Sequence, residues 1–128
     1  MKKVLSILSL AVVVILSGCT KNELVIPNTT ISTTIQPSDW QFDSNTKTWY
    51  VNIDMPEITS QTNETDGIIV SVSFGDGVYE MVPDIYNGYA FYVTHQPGTL
   101  TLEAQNQFGS TSAPSDAIIA KIVIVPSN

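Results

Sequence analysis

Residues Trp49–Met55 read WYVNIDM, and this stretch decides the fold class. Every second side chain in it is apolar, and the apolar set is Trp49, Val51, Ile53 and Met55. The residues between them are Tyr50, Asn52 and Asp54. Side chains of a β-strand alternate between the two faces of a sheet, so this period of two predicts a half-buried strand with Tyr50 on its outward face.

Six further segments of the chain predict strands. Five of them are Thr29–Gln36, Ile68–Phe74, Tyr89–Val93, Thr99–Gln105 and Ala117–Val125, and the sixth is Val78–Val82 as a short edge strand. Turn residues separate these segments, and no stretch has the 3.6-residue period of a helix. About seven strands without helices predict an all-β, antiparallel sandwich. An immunoglobulin-like arrangement is one candidate, although the Cys…Trp…Cys pattern of such domains is absent.

The last predicted strand, Ala117–Val125, is apolar on both faces except at Lys121. A strand of this kind is covered on both sides, so we expect either the N-terminal tether or another chain to cover its second face. The face that carries Lys121 is either covered or exposed at a sheet edge. A lysine there can bury its stem and keep its ammonium in water, and a charge on an edge strand prevents pairing with another chain. Lys121 is therefore predicted to be a residue that limits aggregation.

The N-terminal residues Met1–Cys19 read MKKVLSILSLAVVVILSGC and have the layout of a signal peptide. Two lysines precede an apolar stretch over Val4–Leu16. A helix of that length spans about 20 Å. The hydrocarbon core of a bilayer needs about 30 Å, so this stretch is too short for a transmembrane anchor.

The signal peptide ends in a lipobox, Leu16-Ser17-Gly18-Cys19. The small residues allow the backbone to enter the cleft of a peptidase. The Cys19 thiol takes a diacylglyceryl group, and cleavage before Cys19 then frees its amine for acylation, for example by palmitate. Two or more acyl chains hold a protein stably in a membrane. The sequence thus predicts a signal peptide over 1–18, a lipidated Cys19 with a tether over 19–27, and a β-sandwich domain over 28–128. The alternative is an ordinary cleavage site followed by a chance cysteine.

The residue after Cys19 bears on where the lipoprotein resides. Thr20 is not the Asp that directs inner-membrane retention, so we expect the outer membrane, with the periplasmic or surface side left open. Lys21-Asn22-Glu23 resembles a surface-export signal, and a solvated linker explains it equally well.

Composition restricts the function further. The chain has 128 residues, enough for one domain, with 5 basic and 12 acidic residues and a net charge of −7. Such a surface repels phosphate backbones and excludes nucleic acid as a partner. One histidine and one cysteine exclude a zinc site, and lipidation of Cys19 leaves no thiol for a disulfide. We expect a monomeric domain that folds without a cofactor.

Candidate catalytic and metal-binding residues are few. His95 follows a strand, but a catalytic histidine needs an orienting acid and a nucleophile, and no nucleophile motif is present. The acidic turns Asp43–Thr46 and Asn63–Gly67 supply oxygens but do not match an EF-hand loop. The sequence therefore predicts a protein that is not an enzyme, with no catalytic residue and no metal site.

Three aromatic residues are candidates for ligand stacking: Trp40, which lies outside a clear strand, and Tyr50 and Tyr92 on outward faces. Exposed tyrosines also pair across strands and stabilise sheets without any ligand, and Trp40 can equally cap the end of the core. Two functions stay open. The first is a non-catalytic module that binds an envelope protein or has a structural role, and the second is a surface protein that binds polysaccharide through these aromatics.

Several short motifs together resemble a known family. They are the lipobox, Pro37-Ser38-Asp39-Trp40, Trp49-Tyr50, Asp54-Met55-Pro56-Glu57-Ile58-Thr59, Asp66-Gly67-Ile68-Ile69-Val70, Val82-Pro83 and Lys121-Ile122-Val123-Ile124-Val125-Pro126. In this combination the chain resembles small lipoproteins of the Bacteroidetes group. The resemblance implies a single β-sandwich domain on a lipid anchor and implies no activity.

Overall fold

The computed structural model describes residues 24–127. The predicted signal peptide, the lipobox residues Leu16, Ser17 and Gly18, and the lipidation site Cys19 lie outside the described residues. Their roles stay predictions. Between residues 24 and 127, no helix is long and apolar enough to cross a membrane.

The described chain forms nine strands and two short helical segments. The strands are β1 (Thr29–Ile35), β2 (Gln41–Asp43), β3 (Thr48–Met55), β4 (Gly67–Ser73), β5 (Glu80–Met81), β6 (Asp84–Tyr86), β7 (Tyr89–Gln96), β8 (Gly98–Asn106) and β9 (Ile118–Val125). A 3-10 turn spans Pro37–Asp39, and a helix, α1, spans Ser60–Thr65.

The strands form two antiparallel sheets. The four-stranded sheet has the order β1-β9-β4-β5, and the five-stranded sheet has the order β2-β3-β8-β7-β6. The predicted all-β sandwich is confirmed. The last strand lies between the first and the fourth, so the order differs from the ABED and CFG sheets of a constant-type immunoglobulin domain.

The structure adds four elements to the predicted ones, namely the 3-10 turn, strands β2 and β6, and helix α1. Strands β2 and β6 have three residues each, too few for alternation to be recognised. Helix α1 occupies part of a segment predicted to be a turn, so the prediction of no helices is wrong there. Its start is a normal N-cap, in which the Thr59 hydroxyl accepts a hydrogen bond from the Thr62 N–H at 3.1 Å. With six residues, the helix is shorter than any window in which a 3.6-residue period is detectable.

The core is built from the alternate residues of both sheets. One cluster, which we call the distal core cluster, includes Val51, Phe91, Leu102 and Ala120. The second includes Met55, Leu100 and Ile124. Full burial of such an aliphatic or phenylalanine side chain contributes about 1.5–3 kcal/mol, so these two clusters hold the sheets together without any disulfide.

Strand β9 is central, which excludes the edge position that the sequence leaves open for Lys121. It pairs with β1 on one side and with β4 on the other. Its inward residues are buried, whereas its outward residues, including Lys121, are half-buried. The Lys121 ammonium lies 4.0 Å from the centre of the Tyr79 ring. The tether does not cover this face with its apolar residues, because Leu24 and Val25 are 87% and 82% exposed.

The two ends of the sandwich are distinct. Thr29 lies opposite Ile124, so the chain enters β1 at the end where β9 finishes, which we call the tether end. Met55 and Leu100 of the five-stranded sheet pack near Ile124 at this same end. The opposite end, which we call the distal end, carries the turn between β2 and β3, the turn between β6 and β7, and the loop between β8 and β9.

Candidate functional site

Polar and aromatic side chains form a row across the outer face of the five-stranded sheet. Tyr50 on β3 lies opposite both Gln41 on β2 and Glu103 on β8. Glu103 in turn lies opposite Tyr92 on β7. Residues directly opposite on neighbouring strands point to the same face. We call Gln41, Tyr50, Glu103 and Tyr92 the tyrosine row.

Alternation explains why the row faces outward. The neighbours of these residues along the strands, Val51, Leu102 and Phe91, are buried in the core. Because successive side chains of a strand point to opposite faces, the row residues must point away from the core. The residues that pack the sandwich therefore also fix the orientation of the row.

Tyr50 is half-buried and its hydroxyl is held in place. The Tyr50 hydroxyl donates a hydrogen bond to Gln41 Oε1 at 3.1 Å, which ties the ring towards β2. A ring fixed by such a bond loses little side-chain freedom when a ligand contacts it. This arrangement favours a stable aromatic surface over a mobile one.

Tyr92 is also half-buried and lies close to Glu103. Burial raises the pKa of the Tyr92 phenol, and hydrogen bonding to the Glu103 carboxylate raises it further. A smaller, opposite contribution to this pKa comes from a hydrogen bond with the Thr48 side chain on β3. Tyr92 therefore stays a neutral hydrogen-bond donor near neutral pH, and its ring reaches across β8.

Hydrogen-bonding side chains adjoin the row on its tether side. The Thr101 hydroxyl donates to Asn52 Oδ1 at 2.9 Å, and the Thr94 hydroxyl lies 3.5 Å from Glu103 Oε1. Asn52 and Thr94 are exposed, and Thr101 is half-buried. Amides, hydroxyls and a carboxylate beside aromatic rings provide donors and acceptors for a ligand rich in hydroxyl groups.

A shallow apolar groove adjoins Tyr92 at the β6 edge of the sheet. Its lining includes Pro83, Ile85 and Ala90, and Ile85 lies opposite Ala90 with 67% of its surface exposed. Ala90 precedes Tyr92 by two residues and so lies on the same face. The row therefore has polar neighbours on one side and apolar neighbours at the sheet edge.

Trp40 does not belong to this face. It is 6% exposed and lies in the distal core cluster, with its ring centre 6.3 Å from that of Phe91. The preceding turn directs the chain inward, with the Gln36 N–H donating to Asp39 Oδ2 at 2.7 Å. The stacking role predicted for Trp40 does not fit this burial.

His95 lies apart from the row, near helix α1. Its Nδ1 is 2.7 Å from Asn63 Oδ1, and because an amide oxygen only accepts, Nδ1 is the donor. A carboxylate orients the histidine of most catalytic triads and an Asn amide that of Cys–His–Asn triads, and residues 24–127 hold no cysteine that could act as the nucleophile beside this pair. Among residues 24–127, no group of three or more His, Cys, Asp or Glu side chains is arranged to hold a metal ion.

Comparison of the chain with protein-family models, with curated protein sequences and with solved structures gives no match in any of the three.

The sequence identified two members of the row, Tyr50 and Tyr92, but not Gln41 or Glu103. Glu103 stands in a predicted strand between Leu102 and Ala104, so its outward direction was readable. Its position between the tyrosines depends on the pairing of β3, β8 and β7, which no local pattern specifies.

Proposed function

We propose that this chain is a lipid-anchored protein of the bacterial cell envelope, held in the outer membrane through Cys19, with a β-sandwich that acts as a non-catalytic binding module. The lipobox supports the anchor. The position of the tyrosine row supports the binding role, because Tyr50 and Tyr92 stand beside residues of the distal core cluster, on the side of the sandwich away from the tether end. The row is thus remote from the end at which the tether enters.

The ligand class that the row favours is polysaccharide. The single observation that carries this proposal is the alignment of Tyr50, Glu103 and Tyr92 across three adjacent strands. Neighbouring strands are about 4.8 Å apart, so the two tyrosines are separated by roughly 10 Å with the carboxylate midway. Aromatic rings offer an apolar surface to the apolar face of a sugar ring, and the neighbouring polar groups bind its hydroxyls.

The experiment for the anchor compares the parent with the Cys19→Ala variant in a bacterial host. The parent incorporates labelled palmitate and sediments with the outer-membrane fraction. The variant incorporates none and leaves that fraction. Equal membrane partitioning and equal labelling of the two proteins would contradict lipidation at Cys19.

The experiment for the ligand measures binding of soluble oligosaccharides of several backbones to the full chain, purified in a detergent that has no sugar headgroup. Tyr92→Ala removes an aromatic contact and is expected to weaken binding about tenfold, which corresponds to about 1.4 kcal/mol. Tyr50→Ala is expected to act in the same direction.

The matched control is Tyr79→Ala, which removes a 38% exposed tyrosine that lies beside Lys121 of the four-stranded sheet. It should leave oligosaccharide binding unchanged. If no oligosaccharide binds the parent, the polysaccharide function is wrong and the tyrosines only stabilise the sheet. If the control loses as much affinity as Tyr92→Ala, the site lies elsewhere.

A further inference from the structure

We propose that the tyrosine row selects glycans that carry free, protonated amino groups over acetylated, neutral and acidic glycans. This inference rests on the polysaccharide function proposed above and specifies the substituent that the site recognises. Its central group is Glu103, which stands between the two tyrosines.

The charge of the face favours a cationic ligand. The outer face of the five-stranded sheet carries the carboxylates of Asp43, Asp54 and Glu103, as their register positions show. No lysine or arginine occurs in the five strands of this sheet. The nearest lysine in sequence, Lys47, lies in the turn between β2 and β3.

The rest of the described chain reinforces this charge. Residues 24–127 hold eleven acidic residues against two lysines, Lys47 and Lys121. A surface of one sign raises the local concentration of ligands of the opposite sign and lowers that of like-charged ones. Glycans built of uronic acids or bearing sulfate are therefore disfavoured, and amino glycans are attracted.

The geometry places the negative charge where an amino group would lie. The Tyr92 ring reaches across β8, the strand of Glu103, so a sugar ring stacked on Tyr92 places its substituents beside this carboxylate. Glu103 is half-buried, so its carboxylate is partly shielded from water and its attraction for an ammonium group is stronger than at a fully exposed site.

The hydrogen bonds of Glu103 leave capacity for a ligand. The Thr94 hydroxyl lies 3.5 Å from one carboxylate oxygen, and the Tyr92 phenol lies close enough to the carboxylate for this neighbour to raise the pKa of the phenol. An ionised carboxylate has about four acceptor positions, so these two groups do not saturate it. The faces of the flanking rings add a cation–π contribution to any ammonium group within about 6 Å of their centres.

An uncharged substituent gains less at this position. An acetylated nitrogen forms an ordinary hydrogen bond in place of a charge-assisted one, which is roughly twice as strong. A plain hydroxyl likewise offers no charge. The face therefore distinguishes glycans of the same backbone by the charge of one substituent.

The test uses three oligosaccharides of equal length and linkage: β-1,4-linked glucosamine, its N-acetylated form and the corresponding glucose oligomer. Binding to the full chain is measured by calorimetry in the same detergent, at mildly acidic pH where the amino groups are protonated. We expect the glucosamine oligomer to bind about tenfold more tightly than the other two. We expect this advantage to shrink as salt is raised, because exposed charges are screened.

Two variants assign the preference to the row. Glu103→Gln retains the length of the side chain and an acceptor oxygen for Tyr92, and it should abolish the advantage of the glucosamine oligomer. The matched control, Glu57→Gln, removes the same charge from an exposed residue after β3 and should retain the advantage. Circular dichroism of both variants checks that the fold is unchanged.

Each outcome decides between the proposals. Equal affinity for the three oligomers overturns the amino-group inference and leaves the polysaccharide function standing. An advantage that persists in Glu103→Gln also overturns the inference, because overall charge would then explain it. Absence of binding to oligosaccharides of every backbone overturns the polysaccharide function, and the inference fails with it.

Discussion

Replacement of Trp40 by Ala tests the division between core and ligand face more strongly than any other single substitution. Trp40 is 6% exposed and packs against Phe91 in the distal core cluster. Because its ring fills the core and does not reach the outer face, we expect Trp40→Ala to lower the free energy of unfolding and to have no direct effect on oligosaccharide contacts.

The magnitude follows from two opposing contributions. Truncation of a buried aromatic side chain to Ala costs about 3–5 kcal/mol. The buried indole nitrogen of Trp40 has no hydrogen-bond partner among residues 24–127, so its removal offsets part of the loss in the free energy of unfolding. We therefore expect a net loss near the lower limit, about 3 kcal/mol. With a urea m-value of about 1.5 kcal/mol/M, the unfolding midpoint falls by roughly 2 M.

The assay is urea unfolding of a chain that begins at Leu24, with circular dichroism as the signal that monitors unfolding. Trp40→Phe is the matched variant, because it retains an aromatic ring and removes the unpaired nitrogen, and it should change stability by less than about 1.5 kcal/mol. Phe108→Ala truncates an aromatic residue that is 86% exposed, and its effect should stay within about 0.5 kcal/mol. A loss below about 1 kcal/mol for Trp40→Ala, combined with weakened oligosaccharide binding, would refute the placement of Trp40 in the core.

Three further predictions concern single positions. Gly88 has φ +82°, a conformation that costs a residue with a Cβ about 1–2 kcal/mol, so Gly88→Ala should lower stability by about that amount in urea unfolding, while the exposed Phe108 ring beside the added Cβ can move aside; an unchanged midpoint would contradict this. Lys121→Val should leave the strand content intact but raise aggregation measured by light scattering, because it makes the outer face of β9 wholly apolar; a variant that stays monomeric would refute the protective role. The Ser127 N–H bonds to Asp66 Oδ1 at 3.1 Å and lowers the pKa of that carboxyl below its ordinary value of 3.8, so this contact stabilises the fold above that pH and is lost as pH falls through the lowered pKa. The Ser127 amide signal should therefore titrate with a midpoint below 3.8 and should not titrate in Asp66→Asn.

The sequence was sufficient to predict the strands that build the core. In β3, alternation identified Val51 and Met55 as inward residues, and both are buried. The pattern is strong there because each inward residue is covered by the opposite sheet. Alternation does not predict strand β2, because three residues at a sheet edge have too little burial to impose it.

Long-range pairing explains the remaining differences. A continuous apolar strand does not reveal its neighbours, so the sequence leaves open whether the strand of Lys121 lies at an edge, and the structure shows β9 enclosed by β1 and β4. The sequence leaves Trp40 open between ligand stacking and capping of the core, because it stands outside a clear strand, and the structure places its ring in the core. The tyrosine row likewise depends on long-range strand pairing, since only the pairing of β8 with both β3 and β7 brings Glu103 between Tyr50 and Tyr92.

The central claim is that the outer face of the five-stranded sheet is the ligand face. The most direct test is a nuclear magnetic resonance titration of the isotope-labelled chain with the oligosaccharides described above. We predict that backbone amide shifts concentrate at Tyr50, Glu103 and Tyr92 and extend to Asn52. Shifts confined to β1, β4 and β9 of the four-stranded sheet, or no shift with any oligosaccharide, would contradict the claim.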